Sequence, residues 1–226
     1  MQKRLTRKLD LELVLSKVKP HPSPSPSLEQ YVTPVDVAAN MLYLAAYCNN
    51  DILGKTVLDL GCGTGRLALG AAFLGSEEVV GVDIDRASIK IASENSANVG
   101  LEQRVEWIVA DVESICGSFD TVLQNPPFGV QKRHADRGFL RKALEVGKVV
   151  YSLHKSKAEK TRSRSMIDRT DVVRIQGSPF LRAFIEKSGG CIRAVYPMKM
   201  VIPHMFDFHS ERKHEFWADL YVIDRR

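Results

Sequence analysis

Val122-Leu123-Gln124-Asn125-Pro126-Pro127-Phe128-Gly129 is the stretch on which the reading of this chain turns. It continues Ser118-Phe119-Asp120-Thr121, where a short apolar strand begins. Two consecutive prolines cannot donate ladder hydrogen bonds, so the strand stops there. An asparagine is left at the strand's carboxyl end, followed by a rigid elbow and an aromatic ring. In an open α/β sheet, ligands bind at that end. The residue types suit a flat group bearing an NH2. The Asn125 side-chain carbonyl and the Pro126 backbone carbonyl can each accept from the amine, and Phe128 can stack on the ring. An exocyclic amine is a poor nucleophile because its lone pair is delocalised. Two acceptors favour a more tetrahedral nitrogen and aim the lone pair at an electrophile, so positioning supplies much of the rate. The plain alternative is a Pro-rich turn closing a strand, since Asn-Pro alone is a common turn.

The 226 residues suffice for one sizeable domain with short extensions. Hydrophobic content of 44% and a mean hydropathy of −0.15 fit a soluble globular protein. No apolar run approaches the ~20 residues of a membrane span. The basic N-terminus lacks the apolar stretch of a secretory signal. Cys48, Cys62, Cys116 and Cys191 are widely spaced without a C-x-x-C pattern, so neither zinc nor a disulfide framework is indicated, and a reduced, cytoplasmic setting is expected. A net charge of +5 and a pI of about 9.0 are compatible with a polyanionic partner.

Upstream, Thr56-Val57-Leu58-Asp59-Leu60 runs into Gly61-Cys62-Gly63-Thr64-Gly65, and a helix is expected from Arg66 to about Leu74. Glycines let the backbone approach a ligand, and helix N–H groups face it. A dinucleotide fingerprint wants a glycine at the sixth position, which here is Arg66. With Asp59 just before the loop, the arrangement suits a ligand with a cationic, amino-bearing end. Asp83 ends a second strand, Glu78–Asp85, where an acid grips ribose hydroxyls. Asp85 reads as the N-cap of a helix Arg86–Asn98. Asp111 ends a third strand, Val105–Ala110, where an acid can meet an adenine amino group.

Before these, Leu5, Leu9, Val14 and Val18 suggest one helical stripe in a basic segment, followed by a Pro/Ser linker, Pro20–Ser27. Residues 1–27 thus read as an N-terminal extension and 28–226 as the domain. Thr33-Pro34 opens a helix to about Tyr47, with Thr33 as N-cap, whereas Gln30 and Tyr31 have no such structural reason. After the elbow come a helix Asp136–Glu145 and a fifth strand Lys148–Leu153. A cationic run then includes Lys155, Lys160, Arg162 and Arg164; it reads either as a solvated charged loop or as a nucleic-acid contact. A helix Pro179–Lys187 precedes a hairpin of Cys191–Ile202 and Glu215–Ile223. His204, His209 and His214 recur at a spacing that fits no usual metal site.

Taken together, these motifs resemble the class I S-adenosylmethionine-dependent methyltransferases, and Asn125-Pro126-Pro127-Phe128 resembles their amino-methylating branch. Leu28-Glu29-Gln30-Tyr31 with Thr33, Met41-Leu42-Tyr43, the Asn125 elbow and Tyr151-Ser152-Leu153-His154-Lys155-Ser156 resemble the archaeal and eukaryotic family that methylates an adenine N6 of small-subunit ribosomal RNA. The resemblance covers most of the chain from about Leu28. It implies an α/β, Rossmann-like seven-stranded sheet of order 3-2-1-4-5-7-6, strand 7 antiparallel, with helices on both faces. It implies that Gln30, Thr33, Gly61, Thr64, Arg66, Asp83, Asp111 and Val112 line the S-adenosylmethionine site; Asp59, Gly63 and Ile84 complete the set. Asn125, Pro126, Pro127 and Phe128 would be catalytic, and no metal is expected. It further implies a small zinc-ribbon activator subunit that adds a strand at the third-strand edge, covering Val105, Trp107 and Val109. Two other readings stay open: a glutamine-N5 methyltransferase of release factors, and a non-catalytic RNA-binding protein on the same scaffold.

Overall fold

The computed structural model describes residues 6–128, 135–156, 175–203 and 213–226. Its centre is a seven-stranded sheet of order β3-β2-β1-β4-β5-β7-β6. The strands are β1 Thr56–Leu60, β2 Glu78–Asp83, β3 Glu106–Val109, β4 Phe119–Gln124, β5 Gly147–Lys155, β6 Gly190–Pro203 and β7 Lys213–Arg225. β1 to β5 run parallel, and β7 pairs antiparallel with both β5 and β6. The order reverses between β1 and β4, so the carboxyl ends of these two strands open the crevice where α/β sheets take their ligands.

The central strands are apolar on both sides because helices cover both faces. Helices α1 Lys8–Ser16, α2 Val35–Tyr43 and α3 Arg66–Phe73 close one face over Leu123, Tyr151 and Leu153. Helices α5 Ala135–Val146 and α6 Pro179–Lys187 close the other over Leu58, Val122 and Val150. α4 Arg86–Asn98 flanks β2 and β3. Asp85 caps α4 by accepting from the backbone N–H groups of Ala87 and Ser88.

Several local expectations are corrected. α1 buries Leu11 and Leu15; of the expected stripe, Val18 is buried just past the helix end, Val14 is half-buried and Leu9 is exposed. Both sets fit helical spacing; what selects between them is α3, where Gly70 leaves room for the Leu15 and Leu42 side chains. The α2 helix ends at Tyr43 and widens into a π turn over Leu44–Cys48 instead of continuing to Tyr47 as an α-helix. Its N-cap is Pro34, with no side-chain cap, because the Thr33 hydroxyl is engaged elsewhere. Val105 and Trp107 on the β3 edge are not exposed: Val105 is buried, and the Trp107 indole turns inward over Gly81 and donates to the Ser96 hydroxyl. The apolar residues open on that edge are Ile108 and Val109.

If α1 is held by Leu11 and Leu15, the two stripes can be told apart by substitution. Leu15→Ala should lower the unfolding free energy by about 2–5 kcal/mol, and Leu9→Ala by less than about 0.5 kcal/mol, in urea titrations.

Candidate active site

A cavity of about 450 Å³ opens at the carboxyl ends of β1, β2 and β4. Its walls bring together Gln30, Thr33, Asp59, Gly61, Gly63, Thr64, Arg66, Asp83, Ile84, Asp111, Val112, Asn125 and Pro127. Pro126 and Phe128 are not in the wall. Pro126 is buried, and Phe128 packs edge-on against Phe216 of β7, with ring centroids 5.4 Å apart. Lys155, at the end of β5, lies over the Phe216 ring at 5.4 Å, away from the cavity. Lys160, Arg162 and Arg164 lie outside the described residues, as do Gly129, His204 and His209.

In the glycine loop, Gly61 and Gly63 line the cavity and Gly65 does not. All three have positive φ, which favours glycine. A Cβ on Gly61 would meet the Phe139 ring at 2.7 Å, and one on Gly65 would meet Trp107 at 2.5 Å. Gly65 therefore makes room for the β3 indole, and Gly61 makes room for the α5 ring that stands beside it in the cavity wall. At Gly63 a Cβ would have open space, so this is where the backbone itself is offered to the cavity. Its N–H donates to Asp83 Oδ2 at 2.8 Å, and Asp83 Oδ1 accepts from Asp85 N–H at 2.9 Å. Asp83 is thus aimed by two backbone donors, yet its carboxylate keeps lone pairs for a ligand hydroxyl.

Chain from the N-terminal side closes the cavity from above. Asn95, fully buried, clasps Lys19 by both its backbone N–H and its carbonyl, and its amide also donates to the Thr64 carbonyl. Arg66 donates to the carbonyls of Thr33 (2.6 Å) and Val18 (3.0 Å). Burial pulls its guanidinium down to about 10. Arg66 therefore acts first as a strut beneath the segment from Val18 to Thr33. Gln30 is similarly engaged, accepting from Ser25 N–H and donating to Asp85 and to the Ser88 hydroxyl. Sequence reading took Pro20–Ser27 as a linker; the structure places His21, Ser27, Leu28 and Glu29 in the wall. Phe139 of α5 is another wall residue that periodicity marks only as core. Of these, only the backbone at Glu29, in the left-handed region at φ +50°, departs from ordinary loop geometry.

Acidic groups dominate the electrostatics. Asp59 is buried and accepts from Ala68 N–H at 2.8 Å, tying β1 to α3. Burial, reinforced by the charge of Asp83, pushes its carboxyl up to about 7. Burial also raises Asp83. Asp111 spends one oxygen on Glu113 N–H as the cap of a single 3-10 turn. Such a set of carboxyls, with Asp59 buried, Asp83 half-buried and Asp111 exposed, suits a ligand carrying positive charge and hydroxyl donors and disfavours an anion. At the elbow, Asn125 Nδ2 donates to Thr33 Oγ1 at 3.0 Å. Its carbonyl oxygen is buried with no protein partner. An orphaned acceptor of this kind calls for a ligand donor.

The raised Asp59 has a consequence for stability. A group whose folded pKa lies above its ordinary value of 3.8 stabilises the fold fully below that value and loses its contribution as pH rises to about 7. Thermal stability of the ligand-free protein should fall across this interval, and Asp59→Asn should flatten the profile, as read by calorimetric melting at stepped pH.

Comparison with known proteins places this geometry. The methyltransferase small domain matches residues 32–148. The chain is similar to the rRNA N(6)-adenosine-methyltransferases METTL5 of Danio rerio, 40% identical over 65% of this chain and 73% of that one, and Mettl5 of Drosophila melanogaster, 40% identical over 63% and 67%. The crystal structure of a candidate RNA methyltransferase from Pyrococcus horikoshii superposes with a TM-score of 0.82 at 36% identity, over 98% of this chain and 99% of that one. The residues fit S-adenosylmethionine: Gly63 leaves space, Asp83 offers an aimed carboxylate, and the acid-rich wall suits a cationic cofactor. The chain belongs to the methyltransferase small domain family, in the class I S-adenosylmethionine-dependent fold.

Proposed function

We propose that this protein transfers a methyl group to the N6 amine of an adenine in RNA, with small-subunit ribosomal RNA as the substrate. The observation that carries the reading is Asn125: its amide nitrogen is committed to Thr33, so its buried carbonyl is left aimed and unpartnered beside the cavity. An exocyclic amine is the donor that completes it. The names of the Danio and Drosophila relatives support adenine as the base that bears the amine.

S-adenosylmethionine supplies an electrophilic methyl group on a sulfonium. The chain's own residues do the rest by placement. Asp83 would accept from the ribose hydroxyls, with Gly63 leaving the space for them, and Asp111 and Val112 would flank the adenine. Asn125 Oδ1 and the Pro126 carbonyl draw the target amine out of conjugation and aim its lone pair. No general base is needed, since the nitrogen becomes acidic once alkylated and releases its proton to water. Phe128, braced by Phe216, offers a ring face only to a base that has left its stack. The cationic Lys155, with Lys160, Arg162 and Arg164, would contact phosphates and position RNA without reading sequence. A reduced, cytoplasmic setting accords with four free cysteines.

Cofactor binding and chemistry should separate by mutation. Asp83→Ala should weaken S-adenosylmethionine by about ten- to a hundredfold in calorimetry. Asn125→Ala should leave that affinity nearly unchanged and lower turnover by about a hundredfold or more. The substrate class is tested by nucleoside analysis of small-subunit RNA incubated with labelled cofactor, where N6-methyladenosine is expected. Replacing Lys160, Arg162 and Arg164 with Ala should weaken RNA binding and flatten its salt dependence. Label in a release-factor glutamine, and none in RNA adenine, would overturn the reading in favour of protein methylation.

The partner proposal rests on β3. It pairs with β2 on one side, and on its edge Ile108 and Val109 stand exposed. A small zinc-ribbon subunit adding a strand there would cover both. Light scattering should detect self-association of the isolated chain, relieved by co-expression with such a subunit; a fully active, well-behaved monomer would remove the need for one.

A further inference from the structure

The elbow lacks the support a strand normally has. Gln124, paired with Ser152, is the last residue of β4 in register with β5. Pro126 and Pro127 have no N–H, so ladder bonding cannot hold the chain beyond it. On one face of the sheet, Asn125 is anchored by Thr33. The opposite face carries a chain of polar side chains in otherwise apolar surroundings. Gln124 Nε2 donates to Ser152 Oγ at 2.8 Å, Ser152 Oγ lies 2.7 Å from His154 Nε2, and His154 Nδ1 faces Asp136 Oδ2 at 3.5 Å. Gln124, Ser152 and His154 are buried, and the His154 ring is fixed edge-on against Tyr221 at 5.5 Å.

With His154 neutral and the Gln124 nitrogen facing Ser152, the hydrogens run in one order through this chain and leave Gln124 Oε1 buried without a protein partner. Asp136 accepts, so His154 Nδ1 carries the proton and Nε2 is an acceptor. The Ser152 hydroxyl then donates to Nε2 and accepts from Gln124. The Gln124 amide is thereby turned in one direction, with its nitrogen towards Ser152. Burial acts to raise the Asp136 carboxyl, but the His154 contact and the Arg137 charge outweigh it and hold it below the ordinary carboxylate range. A buried polar chain is often no more stabilising than an apolar one of the same shape, and what it adds is fixed geometry.

We infer that Asp136, His154, Ser152 and Gln124 form a positioning relay that fixes the exit of β4 and so aims the carbonyl of Asn125. The inference rests on the elbow being the seat of the target amine. None of the four touches the reacting atoms. They hold the elbow from the face opposite Thr33, and Asp136 makes the first turn of α5 part of that hold.

Two measurements test it. In the ¹⁵N-labelled wild-type protein at neutral pH, His154 should be the neutral Nδ1–H tautomer; an Nε2–H tautomer or an imidazolium would overturn the relay. Ser152→Ala and His154→Phe should each slow single-turnover methyl transfer to RNA by about ten- to a hundredfold, with the Kd for S-adenosylmethionine unchanged. Their double variant should cost no more than the worse single one, because a chain already broken loses nothing further. Unchanged turnover, additive losses or a parallel loss of cofactor affinity would each overturn the inference. A wild-type protein that labels no RNA would defeat the substrate reading instead, and the tautomer measurement, which needs neither RNA nor variants, would still decide the relay.

Discussion

The hydrogen bond from Asn125 Nδ2 to Thr33 Oγ1 joins parts of the chain 92 residues apart. It sits where the sheet has run out of backbone to offer, one residue past the last β4–β5 pair and one before two prolines. Thr33 in turn is held from behind, since its carbonyl accepts from Arg66 at the start of α3. The opening of α2, the glycine loop and the elbow are therefore one mechanical unit. Thr33 gives up helix capping to serve it, which is why α2 begins on Pro34 without a side-chain cap.

Burial of charge explains much of what surrounds that unit. Asp59, Asp83 and Arg66 all lie in or near the cavity wall, but they do not pair with each other. Each instead meets backbone dipoles: Ala68 N–H for Asp59, Gly63 and Asp85 N–H for Asp83, and the carbonyls of Val18 and Thr33 for Arg66. Direct ion pairs would neutralise the acids. Backbone donors leave them as acceptors of adjustable charge, and a cationic ligand restores the ionisation that desolvation opposes.

The placement of strands and helices was legible because period and punctuation agree; the strand order and the gathering of distant positions around one cavity followed from the family resemblance. Asp59, Asp83 and Asn125 lie at or next to the carboxyl ends of apolar runs that form neighbouring parallel strands. The N-terminal region was less legible. Leu9 and Leu11 fit helical stripes equally well, and only the notch at Gly70 of α3, distant in sequence, decides for Leu11 and Leu15. Pro20–Ser27 has the composition of a linker. Its place in the wall comes from Asn95, Gln30 and Arg66, none of which announces a distant backbone partner. Trp107 misled for the opposite reason. An aromatic on an edge strand reads as exposed, but Gly65 and Gly81 remove the Cβ atoms that would keep its indole out.

That indole also links the edge to the site. Trp107 lies beneath Gly65 at the turn into α3 and over Gly81 in the middle of β2, and its Nε1 donates to Ser96 on α4. The β3 strand is short and open on its outer side. Short edge strands are the least protected part of a sheet. Here the glycine loop rests on a ring that this edge supplies. Whatever steadies β3 steadies Trp107, and through it the turn that presents Gly63 to the cavity. The β3 edge and the glycine loop thus share one side chain, so a shift of the strand is felt at the turn.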